Sequence, residues 1–251
     1  MNHRTIAVIN QKGGVGKTTS VANIGTGLKI LEKKVLLVDF DAQAHLTYSL
    51  GLEPDDLKYV VYNLLNAEAE IDDVLIGQDG ISLLPSSIDL SAAEIKFANT
   101  AGKETLLKSV LDKVTGYDFI IVDCPPNLGL LTVNALAAVQ EVFVPMQAEA
   151  LSIRGLNKIS DMVEKVRQTV NSDLRITGII LNQFDRRLKL HNQVRDNLQR
   201  YFSDVLFQTS IRKNISLAEA PGFGQSIFDY APRSHGAADY LSLCREILNG
   251  G

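Results

Sequence analysis

The apolar segment Thr5-Ile6-Ala7-Val8-Ile9-Asn10 gives way to Lys12-Gly13-Gly14-Val15-Gly16-Lys17-Thr18-Thr19, and a helical pattern follows over Lys17–Leu31. Gly13, Gly14 and Gly16 fall within four residues, a density that continues neither a strand nor a helix, so a tight loop joins the two. In the pattern G-x-x-x-x-G-K-[ST] such a loop cradles phosphates with its backbone N–H groups, sets its lysine on the β- and γ-phosphates and offers its last hydroxyl to Mg²⁺. Gln11–Thr18 meets the pattern except that Gln11 replaces the first glycine and a second lysine, Lys12, follows it. Gly13, Gly14, Val15, Gly16, Lys17, Thr18 and Thr19 are therefore the expected nucleotide-binding residues, with Lys17 on the reacting phosphate and Thr18 by the metal.

The rest of the chain repeats the strand-to-helix alternation. Strands are predicted at Thr5–Asn10, Val35–Asp39, Ile81–Pro85, Phe119–Asp123, Glu141–Met146 and Ile176–Asn182, with a weaker one at Val205–Thr209. Helices are predicted at Lys17–Leu31, Lys103–Val114, Leu130–Ala138, Ile153–Val170, His191–Tyr201 and Ala237–Leu248. Strands separated by helices imply βαβ units, so the expected fold is α/β, a mostly parallel twisted sheet with helices on both faces. The unbroken aliphatic run Ile120-Ile121-Val122 suits a strand buried on both sides. Glu53–Asp79, more acidic and less periodic, is expected to form short surface helices. No linker, repeat or low-complexity stretch divides residues 1–251, which read as one domain.

Composition narrows the classes. No apolar stretch approaches the length that spans a bilayer, and no charged-then-apolar leader opens the chain, so a cytoplasmic protein is expected. The two cysteines, Cys124 and Cys244, suit a reducing compartment and make no C-x-x-C pair. Net charge is −4, but unevenly spread: residues 1–150 hold 11 Lys/Arg against 19 Asp/Glu, residues 151–251 hold 14 against 10. A basic second half points to a polyanion-facing side.

In an open parallel sheet, ligands bind beyond the carboxyl ends of the strands, and carboxylates stand there twice more. Asp39-Phe40-Asp41 follows the second strand, and Asp123-Cys124-Pro125-Pro126 ends the run Phe119–Val122. Beside bound phosphates, such acids hold Mg²⁺, in part through water. Asp123 is the expected metal-side acid. Asp39 and Asp41 are either both functional or one structural and one functional.

The box Lys12–Thr19 resembles the deviant Walker A loop of the ParA/MinD family, a P-loop NTPase group of nitrogenase iron protein-like type. Longer segments resemble the chromosomal ParA (Soj-type) branch. These are Asp123-Cys124-Pro125-Pro126-Asn127-Leu128-Gly129 with Thr132-Val133-Asn134-Ala135-Leu136, then Leu217-Ala218-Glu219-Ala220-Pro221 and Tyr230-Ala231-Pro232-Arg233-Ser234-His235-Gly236-Ala237. The resemblance implies an ATPase, slow and stimulated by a ParB-like partner, that uses ATP and Mg²⁺, forms a homodimer with ATP and binds DNA without sequence preference on the nucleoid. It implies that Lys12 reaches the partner's nucleotide, that Asp39 lies by the metal with Thr18 and Asp123, and that Asp41 positions the attacking water. Asn182, at the end of the sixth strand, would read the adenine; by its residue type alone it also suits a turn cap.

The same resemblance places DNA contacts on basic residues late in the chain, with Arg187 matching a family contact and Arg186, Lys189, Arg212 and Lys213 beside it; as a bare charge run these equally suit a solvated helix face. A ParA-like ATPase for another cargo and a MinD-like membrane-surface ATPase are the alternatives. Against the second, the end Leu241–Leu248 is mixed in charge rather than a basic amphipathic helix. Cluster-bearing relatives need more cysteines than Cys124 and Cys244. The chain departs from the family's D-x-D-P-Q-G-N at Ala42, Ala44 and His45, and has Ser216 where many relatives carry arginine.

Overall fold

The computed structural model describes residues 3–78, 80–97, 100–150 and 152–250. Among these, the strands are β1 (Arg4–Val8), β2 (Val35–Asp39), β3 (Ile76–Gln78), β4 (Ile81–Leu84), β5 (Phe119–Asp123), β6 (Glu141–Gln147) and β7 (Arg175–Asn182). They form one sheet in the order β3-β4-β2-β5-β1-β6-β7. Every pairing is parallel except β3 with β4. The chain leaves β1 in one direction and β6 lies on its other side, so the loop after β1 sits where the strand order reverses, the position at which such sheets bind ligands.

Side chains alternate across the sheet and both faces are covered. Ile6, Val8, Leu37 and Ile121 pack with Val21, Ile24 and Leu28 of the helix Lys17–Ile30 and with Tyr240, Leu243 and Ile247 of the closing helix His235–Leu248. Their neighbours Ala7, Ile9, Leu36, Val38, Ile120 and Val122 face the opposite way, onto the layer that holds Leu107, Leu136, Ile159 and Val163. This is the period-two pattern of strands buried on both sides. Each fully buried aliphatic side chain contributes roughly 1.5–3 kcal/mol. The two helices of the first layer meet closely because Gly27 has no side chain: a Cβ there would lie 2.5 Å from Cys244 Sγ.

Six predicted strands and the six predicted helices are present, with ends shifted by a few residues. The predicted helix Lys103–Val114 is shorter. Asn134 Oδ1 accepts from Leu107 N at 3.2 Å and Nδ2 donates to Lys103 O at 2.6 Å, so a 3-10 turn, Lys103–Thr105, precedes the helix Leu106–Leu111. Val205–Thr209 is not a strand. Leu206 makes a single bridge to Ile179, with Phe207 N donating to Ile179 O at 3.1 Å, and Gln208 N and Thr209 N then go to the Glu246 carboxylate at 2.6 and 3.0 Å, which interrupts the ladder. The stretch Glu53–Asp79 does contain short helices, but they are not purely surface elements: Val61, Leu64, Leu65 and Val74 are buried in the core, and the unforeseen strand β3 follows. Asp79 itself lies outside the described residues.

Candidate nucleotide site

The loop after β1 is held by its carbonyls. Asn10 turns the chain, accepting from Lys12 N at 3.0 Å and donating to Pro145 O at 2.7 Å. Amide side chains at the ends of β6 and β7 then take the loop's oxygens. Gln147 Nε2 and Gln183 Nε2 donate to Gly14 O at 3.1 and 3.4 Å, and Asn182 Nδ2 donates to Val15 O at 2.8 Å. In a trans peptide the C=O and the following N–H point oppositely, so carbonyls drawn into the protein turn N–H groups outward. Gly16 caps the helix with φ 90°, a backbone that L side chains rarely adopt. The first turn of Lys17–Ile30 adds N–H groups without intrahelical partners and the positive end of its dipole, which together favour a phosphate.

Beside this loop lies a buried carboxylate pair. Asp39 and Asp123 stand opposite each other in the β2–β5 register and are 0% and 1% exposed. Thr18 Oγ1 donates to Asp123 Oδ2 at 2.6 Å, while Asp123 Oδ1 is buried without a partner. Burial, then the charge of Asp39, raises the Asp123 carboxyl to about 8, against which Thr18 and Lys17 act weakly; burial raises Asp39 to about 6. Both shifts state that the fold alone does not supply the counter-charge the ionised acids require. An orphan carboxylate oxygen, a second carboxylate and a hydroxyl fit a hard cation such as Mg²⁺.

Asp39 also has a structural task. Its Oδ2 accepts from Thr47 N at 2.8 Å and Thr47 Oγ1 at 2.7 Å, which anchors the short helix His45–Ser49. Asp41 sits two residues on, accepts from Gln43 N at 3.1 Å, and lines the cavity in front of the loop. Ala44, where the family pattern has glycine, is left-handed with φ 51°. Cys124 is buried and its thiol is pushed up by that burial, so it is a packing residue rather than a nucleophile.

A cavity of about 820 Å³ gathers Gly13 to Thr19, Asp41 and Asn182, and reaches Arg212 and Lys213 on its far rim. Lys12 is not among its lining residues. Its Nζ meets both Glu149 oxygens at 2.6 Å and Gln147 Oε1 at 3.3 Å. The basic residues form two groups. Arg186, Arg187 and Lys189 occupy the turn beyond β7 and the start of the helix Lys189–Tyr201, whereas Arg212 bridges to Phe184 and Lys213 follows it. Arg187 is paired with Asp185 at 2.7 Å, and Arg212 grips Asp239 at 2.6–3.1 Å. Thr47, Gln147, Gln183 and Asp239 were not singled out from the sequence. The two glutamines were within reach, since they stand where β6 and β7 stop.

A family model described as an AAA domain matches residues 3–176. The sporulation initiation inhibitor protein Soj of Bacillus subtilis is 41% identical over 251 residues, covering 99% of both chains. The chromosome-partitioning ATPase Soj of Treponema pallidum is 42% identical over 248 residues, covering 98% of this chain and 97% of that one. A Mycobacterium smegmatis structure described as cobyrinic acid a,c-diamide synthase with bound ADP and magnesium superposes with a TM-score of 0.86 at 36% identity, covering 98% of this chain and 94% of that one. At 41–42% identity over nearly the whole length of both chains, the chain belongs to the Soj/ParA-type family of ATPases and is itself an ATPase.

Proposed function

We propose that residues 1–251 act as one dimerising switch: ATP closes two copies into a pair that binds DNA without sequence preference, and hydrolysis reopens it. The observation that carries this reading is the partnerless buried oxygen of Asp123 beside a loop whose N–H groups face outward, because buried acceptors are rarely left unsatisfied without a ligand to meet them. The relative bound to ADP and magnesium supports the same two ligands here. Thr18, Asp39 and Asp123 would hold Mg²⁺, which when bound neutralises phosphate oxygens as charge shifts during transfer. Phosphates rest on Gly13 to Thr19, with Lys17 on the γ-phosphate. Asp41 orients a water whose oxygen bonds to the γ-phosphorus as the β–γ bridge breaks, giving ADP and phosphate. Lys12 of the partner subunit adds a positive charge to that site.

Arg186, Arg187 and Lys189, with Lys213 and Arg212 on the neighbouring rim, form the DNA face. Dimerisation doubles it, and binding strengthens with each counterion released from the phosphates. A ParB-like protein stimulates turnover and releases the pair from the nucleoid, in the cytoplasm. Among the described residues no helix is long and apolar enough to cross a membrane. The test is DNA binding at several salt concentrations with Asp41→Ala, which should retain ATP, lose at least about 100-fold in turnover and stay on DNA. If ATP fails to raise DNA affinity in this variant, the switch reading falls.

A further inference from the structure

Thr47 stands at the centre of the short helix His45–Ser49 and is fully buried, as are Asp39 and Ser86. Its backbone N–H and its hydroxyl converge on one carboxylate oxygen, Asp39 Oδ2, at 2.8 and 2.7 Å. The same hydroxyl accepts from Ser86 N at 3.0 Å, just past the end of β4, the strand beside β2. A backbone N–H can only donate, so the hydroxyl proton is directed at Asp39. Asp39 Oδ1 is held far less: it receives one long bond, from Asp41 N at 3.3 Å. Asp123, opposite Asp39 in the register, likewise has one oxygen held by a hydroxyl, that of Thr18, and one without a partner.

From this geometry we infer that Thr47 is a positioning residue for the metal site: it occupies Asp39 Oδ2 and so leaves Oδ1 as the oxygen that meets Mg²⁺ or a water of its shell. Two donors on one oxygen fix the rotation of the carboxyl group, and the bond from Ser86 N fixes Thr47 against the neighbouring strand. Mg²⁺ tolerates little departure from octahedral geometry, so the orientation of each acid bears on how well the ion is held. Hydrogen-bond partners that orient a metal's ligands account for about 10–100-fold in its affinity. With Thr18 on Asp123 Oδ2, each acid has one oxygen set by a threonine hydroxyl and one left for the ion. The inference rests on the proposed Mg²⁺ role of Asp39 and Asp123.

The two claims separate in one experiment. ADP binding is measured by calorimetry in excess Mg²⁺ and in EDTA for the full chain and for Thr47→Val, Thr47→Ala and Thr47→Ser. The ratio of the two affinities reads the metal's contribution, and the EDTA value reads the rest of the site. Thr47→Val removes the hydroxyl at nearly constant shape and should cut the ratio about tenfold, with the EDTA affinity unchanged. Thr47→Ala leaves room for a water to meet Ser86 N, which protects the fold, and should lower the ratio by a smaller factor, about threefold. Thr47→Ser keeps the hydroxyl and should hold the ratio within about twofold of the original. An undiminished ratio in both hydroxyl-free variants overturns the inference. So does a loss of ADP affinity that is equal with and without Mg²⁺, the mark of a residue that only supports the fold. If Mg²⁺ does not tighten ADP on the unmodified chain, the metal-site reading itself has failed.

Discussion

At the ends of β2 and β5, Asp39 and Asp123 are buried with no ion pair among the described residues, whereas beyond β7 the cations Arg187 and Arg212 each grip a carboxylate of their own chain. The acids are enclosed and unbalanced, and the guanidinium groups are solvated and balanced. A buried carboxylate without a counter-ion takes up a proton instead, which is the meaning of the raised values at Asp39 and Asp123. On the proposed reading, an exposed arginine with an internal partner exchanges that partner for a DNA phosphate, and such an exchange is nearly even in energy. The crevice thus gains much from one ligand. The basic arm gains little per residue and needs many residues at once, which the proposed dimer would provide.

Asp123→Asn probes the unbalanced side and should give the largest effect. The Asp123 carboxyl lies near 8 in the fold and at 3.8 unperturbed. A group whose folded value is raised contributes stability that is complete below the unfolded value and is lost as pH rises through the folded one. Without nucleotide or Mg²⁺, the unmodified protein should therefore lose thermal stability between pH 6 and 8 relative to the variant. From pH 6 to pH 8 the unmodified protein should lose on the order of 2–3 kcal/mol relative to Asp123→Asn, at about 1.4 kcal/mol per unit, leaving the variant the more stable. Added Mg²⁺ with ADP should reverse the ranking. Melting curves that show the same pH slope for both proteins would mean that the acid has its counter-charge within the chain.

On the balanced side, Asp185→Asn releases Arg187. The Arg187 hydrogen bonds hold the Asp185 carboxyl at about 2, so the pair is fully formed at neutral pH. Freed, the guanidinium should strengthen DNA binding about threefold, and Arg187→Ala should weaken it and lower the salt slope by about one phosphate contact per chain. Filter binding across a salt series separates the two. If Asp185→Asn leaves affinity unchanged while Arg187→Ala reduces it, the arginine contacts DNA without leaving Asp185, and the exchange picture is wrong. Arg212 differs: its grip on Asp239, which also accepts from Arg212 N at 3.0 Å, fastens the cavity rim to the closing helix.

What the sequence made legible was whatever depends on local pattern. The strand-to-helix alternation yielded the sheet, and the strand-end rule yielded the loop, Asp39, Asp41 and Asp123, because each is announced by residues next to it. What it hid depends on distant partners. Thr47 is eight positions from Asp39, and its hydroxyl bonds both that acid and Ser86 N. The segment Thr132–Leu136 matched a family signature, yet its polar members are brackets: Thr132 donates to Asn127 O at 2.5 Å, and Asn134 ties down the stretch after Lys103. No local pattern announces that the Asn182 amide reaches back to Val15 O and Ser20 Oγ.

The smallest effect belongs to the second lysine of the loop, which sits between the two regimes. Lys12 and Glu149 form an ion pair at 2.6 Å, with side chains 52% and 49% exposed. A pair so solvated contributes less than about 1 kcal/mol, so it parks Lys12 and does not lock it. If Lys12 must leave Glu149 to reach the partner subunit's nucleotide, Glu149→Gln removes a competitor and should tighten the ATP-dependent dimer by about twofold. Sedimentation of Asp41→Ala with and without Glu149→Gln reads this directly. A weaker dimer after Glu149→Gln would show instead that the carboxylate orients Lys12 across the interface, and a Lys12→Ala chain that dimerises as well as the original would remove the lysine from the interface altogether.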